Sequence, residues 1–249
     1  MKHDFRYVPK KDPRRRRVFA DAVQLIRETQ DAVRGQFTFQ YRVRGSCSRN
    51  MVTYDAKSNT GYDLDFDLIV HDTEGTCTPE RIKKTLQKAL GKIARQHGYD
   101  FPEDSARVLT LKCKDRENAR ILHSIDFAVI REYADEEGVT RRACIRYDKK
   151  RNRYFWNEQP GGESDLPEKI RRLKAGEQWN EFRAYYLDKK NRNEDQRLHS
   201  RQLFAMAVNE MLQRSGLAEA AEGEKAADTD RRVCRLGRLP YNAMVISLR

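Results

Sequence analysis

Three aspartates, Asp63, Asp65 and Asp67, recur at every second position in the run Tyr62–Val70. Side chains alternate between faces in a β-strand. Tyr62, Leu64, Phe66 and Leu68 therefore share one face, and the three carboxylates share the other. Alternate residues stand about 6.6–7 Å apart along a strand, so the like charges form a ridge that repels itself unless water or a cation screens it. A hard divalent cation such as Mg²⁺ takes carboxylate oxygens together with substrate phosphates. A sheet face left open to solvent is the competing reading of the same pattern.

Two other segments carry chemistry of their own. Upstream, Phe37, Phe39, Tyr41 and Val43 alternate with Thr38, Gln40, Arg42 and Arg44, and the strand runs into Gly45-Ser46. Glycine lets a backbone approach closely and serine caps a helix, so a strand ending this way offers N–H groups to a phosphate. An ordinary strand-to-helix turn reads the same way. Downstream, in Arg120–Ile130, the face holding Leu122, Ser124 and Ala128 also holds Asp126, and His123 lies on the opposite face. A carboxylate in so apolar a strand is costly to bury without a hydrogen bond, a basic partner or a metal. His123, turned away from it, reads as structural.

The order strand, Gly45-Ser46, helix, then an Asp-x-Asp strand, then a strand with the central Asp126, resembles the DNA polymerase β-like nucleotidyltransferase superfamily. That superfamily includes poly(A) and CCA-adding polymerases, oligoadenylate synthase, cyclic GMP-AMP synthase and bacterial cyclic-oligonucleotide synthases. The resemblance covers residues 37 to 130 and extends more loosely towards 210. It implies an α+β fold, with a mixed sheet flanked by helices and a small helical domain closing over the nucleotide. It also implies an Mg²⁺-dependent enzyme that moves an NMP from an NTP to a hydroxyl, releasing pyrophosphate. Two Mg²⁺ ions, or Mn²⁺, would be held by carboxylates, with Asp63/Asp65 and Asp65/Asp67 as rival pairs beside Asp126. Gly45 and Ser46 would grip the phosphates, with Arg49 assisting. A lysine and an aromatic of the helical domain touch phosphate and base in such relatives, which nominates Lys189, with Lys190 and Tyr186 as neighbours. The acceptor, whether an RNA end, another nucleotide or something else, stays open. So do a pseudoenzyme of this fold and a non-catalytic basic protein that binds RNA or DNA.

With 249 residues the chain has room for one large domain or two small ones. Fifty Lys and Arg against 38 Asp and Glu leave +12 (50 − 38), a balance that suits nucleotides or nucleic acid. Cysteines 47, 77, 113, 144 and 234 are odd in number and form no Cys-x-x-Cys pair, which argues against a zinc cluster or a disulfide framework. No apolar leader and no membrane-length run is present, so a cytoplasmic protein with no membrane partner is the expectation.

The remaining chain has to position these groups. Residues 1–11 read as a loose basic arm, and Asp12-Pro13 opens a helix running to Gly35, with Arg14–Arg17 facing solvent. Residues 47–54 read as a short helix. Thr78-Pro79 starts another helix, with Ile82, Leu86, Leu90 and Ile93 buried, closing at His97-Gly98. Residues 107–113 pair as a hairpin with the Asp126 strand, and residues 141–147 add a further strand. The basic-aromatic stretch 148–156 reads either as a nucleic-acid-binding loop or as an edge strand. After the linker Gln159–Ser164 the period turns helical, with three helices between 166 and 215. The expected domains are thus 1–158 catalytic, 165–216 helical, and 217–249 an acidic linker with a strand-like tail.

Overall fold

The computed structural model describes residues 2–72, 75–158, 166–195 and 197–215. The described residues cluster into two compact units. One holds residues up to 158 together with 190–194, and the other holds 166–189 and the residues from 195 onward. The tail expected over 217–249 lies outside the described residues.

In the first unit, helix α1 (Pro13–Val33) begins where the Asp12 carboxylate accepts from the N–H groups of Arg14 and Arg15. Proline at the first position gives up no helical hydrogen bond there. Its buried stripe is Val18, Ala22, Leu25, Ile26, Thr29 and Val33. Helix α3 (Pro79–Ala94) repeats the device, with the Thr78 hydroxyl accepting from the Arg81 N–H, and buries Ile82, Leu86 and Leu90. A short 3-10 turn then carries His97 to Gly98, whose left-handed φ of 78° ends it. His97 meets Glu28 at 3.4 Å.

The sheet holds strands β2 (Thr38–Val43), β4 (Thr60–His71), β7 (Arg120–Ala134), β6 (Val108–Asp115) and β5 (Glu103–Asp104), in that spatial order. Strands β8 (Thr140–Asp148) and β9 (Arg153–Glu158) continue from the far end of β7. Among the described residues only β4 and β7 pair in parallel, with Asp65 beside Asp126. The β6–β7 hairpin forms as expected, antiparallel, with Thr110 beside Asp126. Gly61 makes the parallel pairing possible at its start, because a Cβ there would come within 1.8 Å of the Leu122 carbonyl oxygen.

Alternation gives the sheet two unlike faces. Leu64, Phe66, Leu68, Ile125, Phe127, Val129, Leu109 and Leu111 form one core with α1 and α3. Phe66 and Phe127 are fully buried, each contributing about 2 kcal/mol. The opposite face carries the charged row, then a smaller apolar cluster of Ile69, Ala128, Ile130 and Cys144.

Several expectations are corrected. The N-terminal arm contains strand β1 (Phe5–Tyr7), paired with β3 (Thr53–Asp55) in a separate two-stranded sheet. The helix expected over 47–54 is a single turn, α2 (Gly45–Ser48), because Thr53 has already entered β3. Arg15 does not face solvent. It is buried, and its guanidinium donates to the Val8 carbonyl at 2.8 Å and the Asn50 side chain at 3.0 Å. Of the two readings of 148–156, the edge strand is the one that forms: β8 and β9 make a hairpin with Tyr147 stacked on Tyr154 at 4.3 Å.

The second unit is helical. It holds α4 (Leu166–Ala175), most of α5 (Trp179–Arg192) and α6 (Ser200–Arg214). Phe182 meets Phe204 edge-on at 5.4 Å and both are buried core residues, whereas Trp179, stacked on Phe182 at 5.1 Å, is only half-buried.

Candidate active site

Asp65 sits at the centre of the charged face. Across the parallel pairing its register partner is Asp126, and Asp63 is paired in register with Ser124. The Ser124 hydroxyl donates to Asp63, and the Thr110 hydroxyl donates to Asp126 Oδ1 at 2.6 Å. Neither hydroxyl carries positive charge. Burial, reinforced by the Asp126 and Asp63 carboxylates and opposed by Arg44 and Arg49, pushes the Asp65 carboxyl up to about 6. Burial also raises Asp126, against the pull of the Thr110 hydrogen bond. Both shifts mark negative charge that the surrounding protein does not fully compensate.

The Gly45-Ser46 turn lies directly against this centre. Gly45 has φ +63°, and a Cβ on it would stand 2.4 Å from Asp65 Oδ2. Glycine is therefore demanded twice, by the backbone angle and by the carboxylate beside it. The Arg44 N–H donates to the Asp65 carbonyl at 3.0 Å, which binds the turn to β4. Ser46 follows in α2, and Arg49, at the end of that turn, is near enough for its charge to act on Asp65.

Asp67 is different. It is buried, with Arg44 Nη1 on its Oδ1 at 3.1 Å and Arg142 Nη2 on its Oδ2 at 2.8 Å. Arg142 also meets Glu132 at 3.1 Å, and Arg42 meets Glu132 at 2.9 Å. Both oxygens of Asp67 are thus engaged in ion pairs.

Lys189, nominated for phosphate, belongs to the helical unit and meets Glu210 at 2.8 and 2.9 Å. Lys190 belongs with the sheet, donates to the Thr53 hydroxyl at 2.7 Å, and lies within the field of Asp63. Burial lowers its pKa to about 8, against the pull of Asp63 and Asp55. Thr110, Ser124 and Lys190 complete the neighbourhood. Thr110 could have been found by counting across the hairpin from Asp126, and Ser124 as the residue two before it.

The donor set suits a hard cation: carboxylate and hydroxyl oxygens, with His123 on the other face, bonded to the Tyr99 hydroxyl at 2.9 Å. Among the described residues no three acidic, His or Cys groups already converge as a metal site. Mg²⁺ commonly rests on one or two carboxylates and completes its shell with water and substrate phosphate, so Asp65 with Asp63 or Asp126 suffices chemically.

No protein-family model matches the sequence, and no curated protein matches it. Solved structures do. The chain is 14% identical to a STING-associated CdnE c-di-GMP synthase from Capnocytophaga granulosa, over 77% of this chain and 57% of that one, with TM-score 0.49. It is 16% identical to Vibrio cholerae DncV in its GTP-bound form, over 76% and 50%, with TM-score 0.49. It is 15% identical to the Bradyrhizobium diazoefficiens CD-NTase CdnG in complex with GTP, over 74% and 44%, with TM-score 0.43. The chain spans about half the length of these structures. Similarity at this level leaves what each of those proteins binds or makes a property of that protein.

Proposed function

We propose that the protein is a nucleotidyltransferase that moves an NMP from an NTP to a hydroxyl of a second nucleotide, releasing pyrophosphate. The observation that carries this is Asp65: half-buried, undercompensated, opposite Asp126 in register, and with the Gly45 turn against its carboxylate. A purely structural carboxylate would resemble Asp67, with its arginines.

Asp63 and Asp65 are the pair to hold Mg²⁺, with Asp126, because Asp67 is occupied by Arg44 and Arg142. The ion, when bound, neutralises charge on the phosphates and on the departing pyrophosphate. Gly45 and Ser46 orient the β- and γ-phosphates, and Arg49 and Lys190 add positive charge. Asp126, with Oδ1 held by Thr110, leaves Oδ2 to take the proton of the acceptor hydroxyl. A new bond forms between that oxygen and the α-phosphorus, the α–β bridging bond breaks, and pyrophosphate leaves. A nucleotide as acceptor, in preference to an RNA end, follows the likeness to synthases of cyclic dinucleotides.

The test is incubation with each NTP, singly and in pairs, with and without Mg²⁺. Pyrophosphate and a phosphodiester-linked product are expected from wild type, and neither from Asp65→Asn. A folded wild type that releases no pyrophosphate from any pair would overturn the proposal.

A further inference from the structure

The three-residue strand β1 has little to hold it. Among the described residues it pairs only with β3, and a two-stranded ribbon is marginal by itself. Side chains supply the rest. The Phe5 N–H donates to Asn191 Oδ1 at 2.5 Å, and Asn191 Nδ2 donates back to the Phe5 carbonyl at 3.2 Å. Asp55 accepts from the Asp4 N–H at 2.9 Å and meets His3 at 2.7 Å. The asparagine that grips β1 is the residue next to Lys190. Lys190 Nζ lies 3.9 Å from the centre of the Phe5 ring and donates to Thr53, the register partner of Tyr7.

Lys190 thus lies against strands β1 and β3, and among the described residues the contacts of its ammonium are neutral: a ring face and a hydroxyl. A half-buried ammonium with neutral contacts is stabilised by an incoming anion. Its field already overlaps that of Asp63.

We propose that the N-terminal strand, through Phe5 and the Asn191 carboxamide, is a clamp that fixes Lys190 as a positioned cation for the phosphates of the bound triphosphate. This rests on the nucleotidyltransferase reading for its ligand, whereas the clamp itself is a property of the fold. Asn191 and Phe5 are positioning residues and touch no substrate. Their influence on the triphosphate is through Lys190.

The test combines two readouts on folded full-length variants, Asn191→Ala and Phe5→Leu, with Lys190→Ala as reference. The first is the pH dependence of Lys190 acylation, followed by mass spectrometry. Its midpoint should lie near 8 in wild type and move up towards the ordinary lysine range, about 10.4, when either clamp residue is replaced. The second is steady-state kinetics with NTP. Asn191→Ala should raise KM about tenfold with a smaller fall in kcat, and adding Lys190→Ala should cause little further loss. Phe5→Leu keeps an apolar side chain on β1 and should give the same pattern if Asn191→Ala fails to fold. An unmoved midpoint in both variants overturns the clamp, whether or not the protein turns over NTP. A moved midpoint with unchanged KM shows that Lys190 does not serve the triphosphate, and overturns the proposal at that step. If wild type shows no turnover at all, the Lys190 titration still decides the clamp, and the loss falls on the catalytic reading.

Discussion

Asp65 and Asp67 lie two residues apart on one strand and point to one face, yet their surroundings are opposite. Asp67 has an arginine on each oxygen. Asp65 has two other carboxylates near it, a glycine turn against it, and a carboxyl pushed up to about 6. A fold needs only the first arrangement, because an undercompensated buried charge weakens it. Retaining the second makes sense where a cation and an anionic substrate supply the missing interactions. On the proposed function, the comparison separates a structural from a catalytic acid within a single row of aspartates.

The largest expected effect tests the Asp65 side of that comparison. Asp65→Asn should lower turnover by at least about a thousandfold while making the unliganded fold more stable. Because the folded-state pKa lies above the ordinary value of 3.8, ionised Asp65 weakens the fold at pH 7. That weakening amounts to about 3 kcal/mol, is fully present above about pH 6, and is gone below about pH 4. Denaturant titrations of both proteins should therefore differ at pH 7 and converge at pH 4.

Asp67→Asn should reverse the pattern. Arg44 and Arg142 lose their shared partner, and stability should fall by about 2 kcal/mol, measured by urea unfolding. Activity should drop only about tenfold, because Arg44 flanks the Gly45 turn and its charge acts on Asp65.

Gly45→Ala probes the turn that lies against Asp65. The new methyl meets Asp65 Oδ2 and occupies a left-handed backbone angle. The expectation is about 1–2 kcal/mol of destabilisation and a rise in KM for NTP. The smallest effect belongs to Thr110→Val. Its hydroxyl lowers the pKa of Asp126, so removing it should move the acid limb of the pH–rate profile to higher pH with little change in stability.

How much of this could be read from the chain follows the range of the interactions. Alternation places Asp63, Asp65, Asp67 and Asp126 on their faces, because the period of a strand is local. The β6–β7 hairpin is equally readable, since its turn lies between adjacent segments. The rivalry between Asp63/Asp65 and Asp65/Asp67 could not be resolved that way. What distinguishes Asp67 is Arg44 and Arg142, 23 and 75 residues away, and nothing about either arginine in isolation predicts the pairing. Strand β1 was missed because three residues carry no period, and its partners, Asn191 above all, lie far along the chain. Lys189 and Lys190 are indistinguishable by type. Only the direction each takes from helix α5 assigns one to Glu210 and the other to Thr53.

The account stands most directly on the ionisation of Asp65, which carbon-13 NMR of the labelled carboxyl can follow residue by residue. The prediction is a midpoint near 6 in the free protein that falls by more than one pH unit when Mg²⁺ and a non-hydrolysable NTP are added. A midpoint near 4 that does not respond to them would mean that Asp65 is an ordinary surface acid and that the site binds no metal–nucleotide complex.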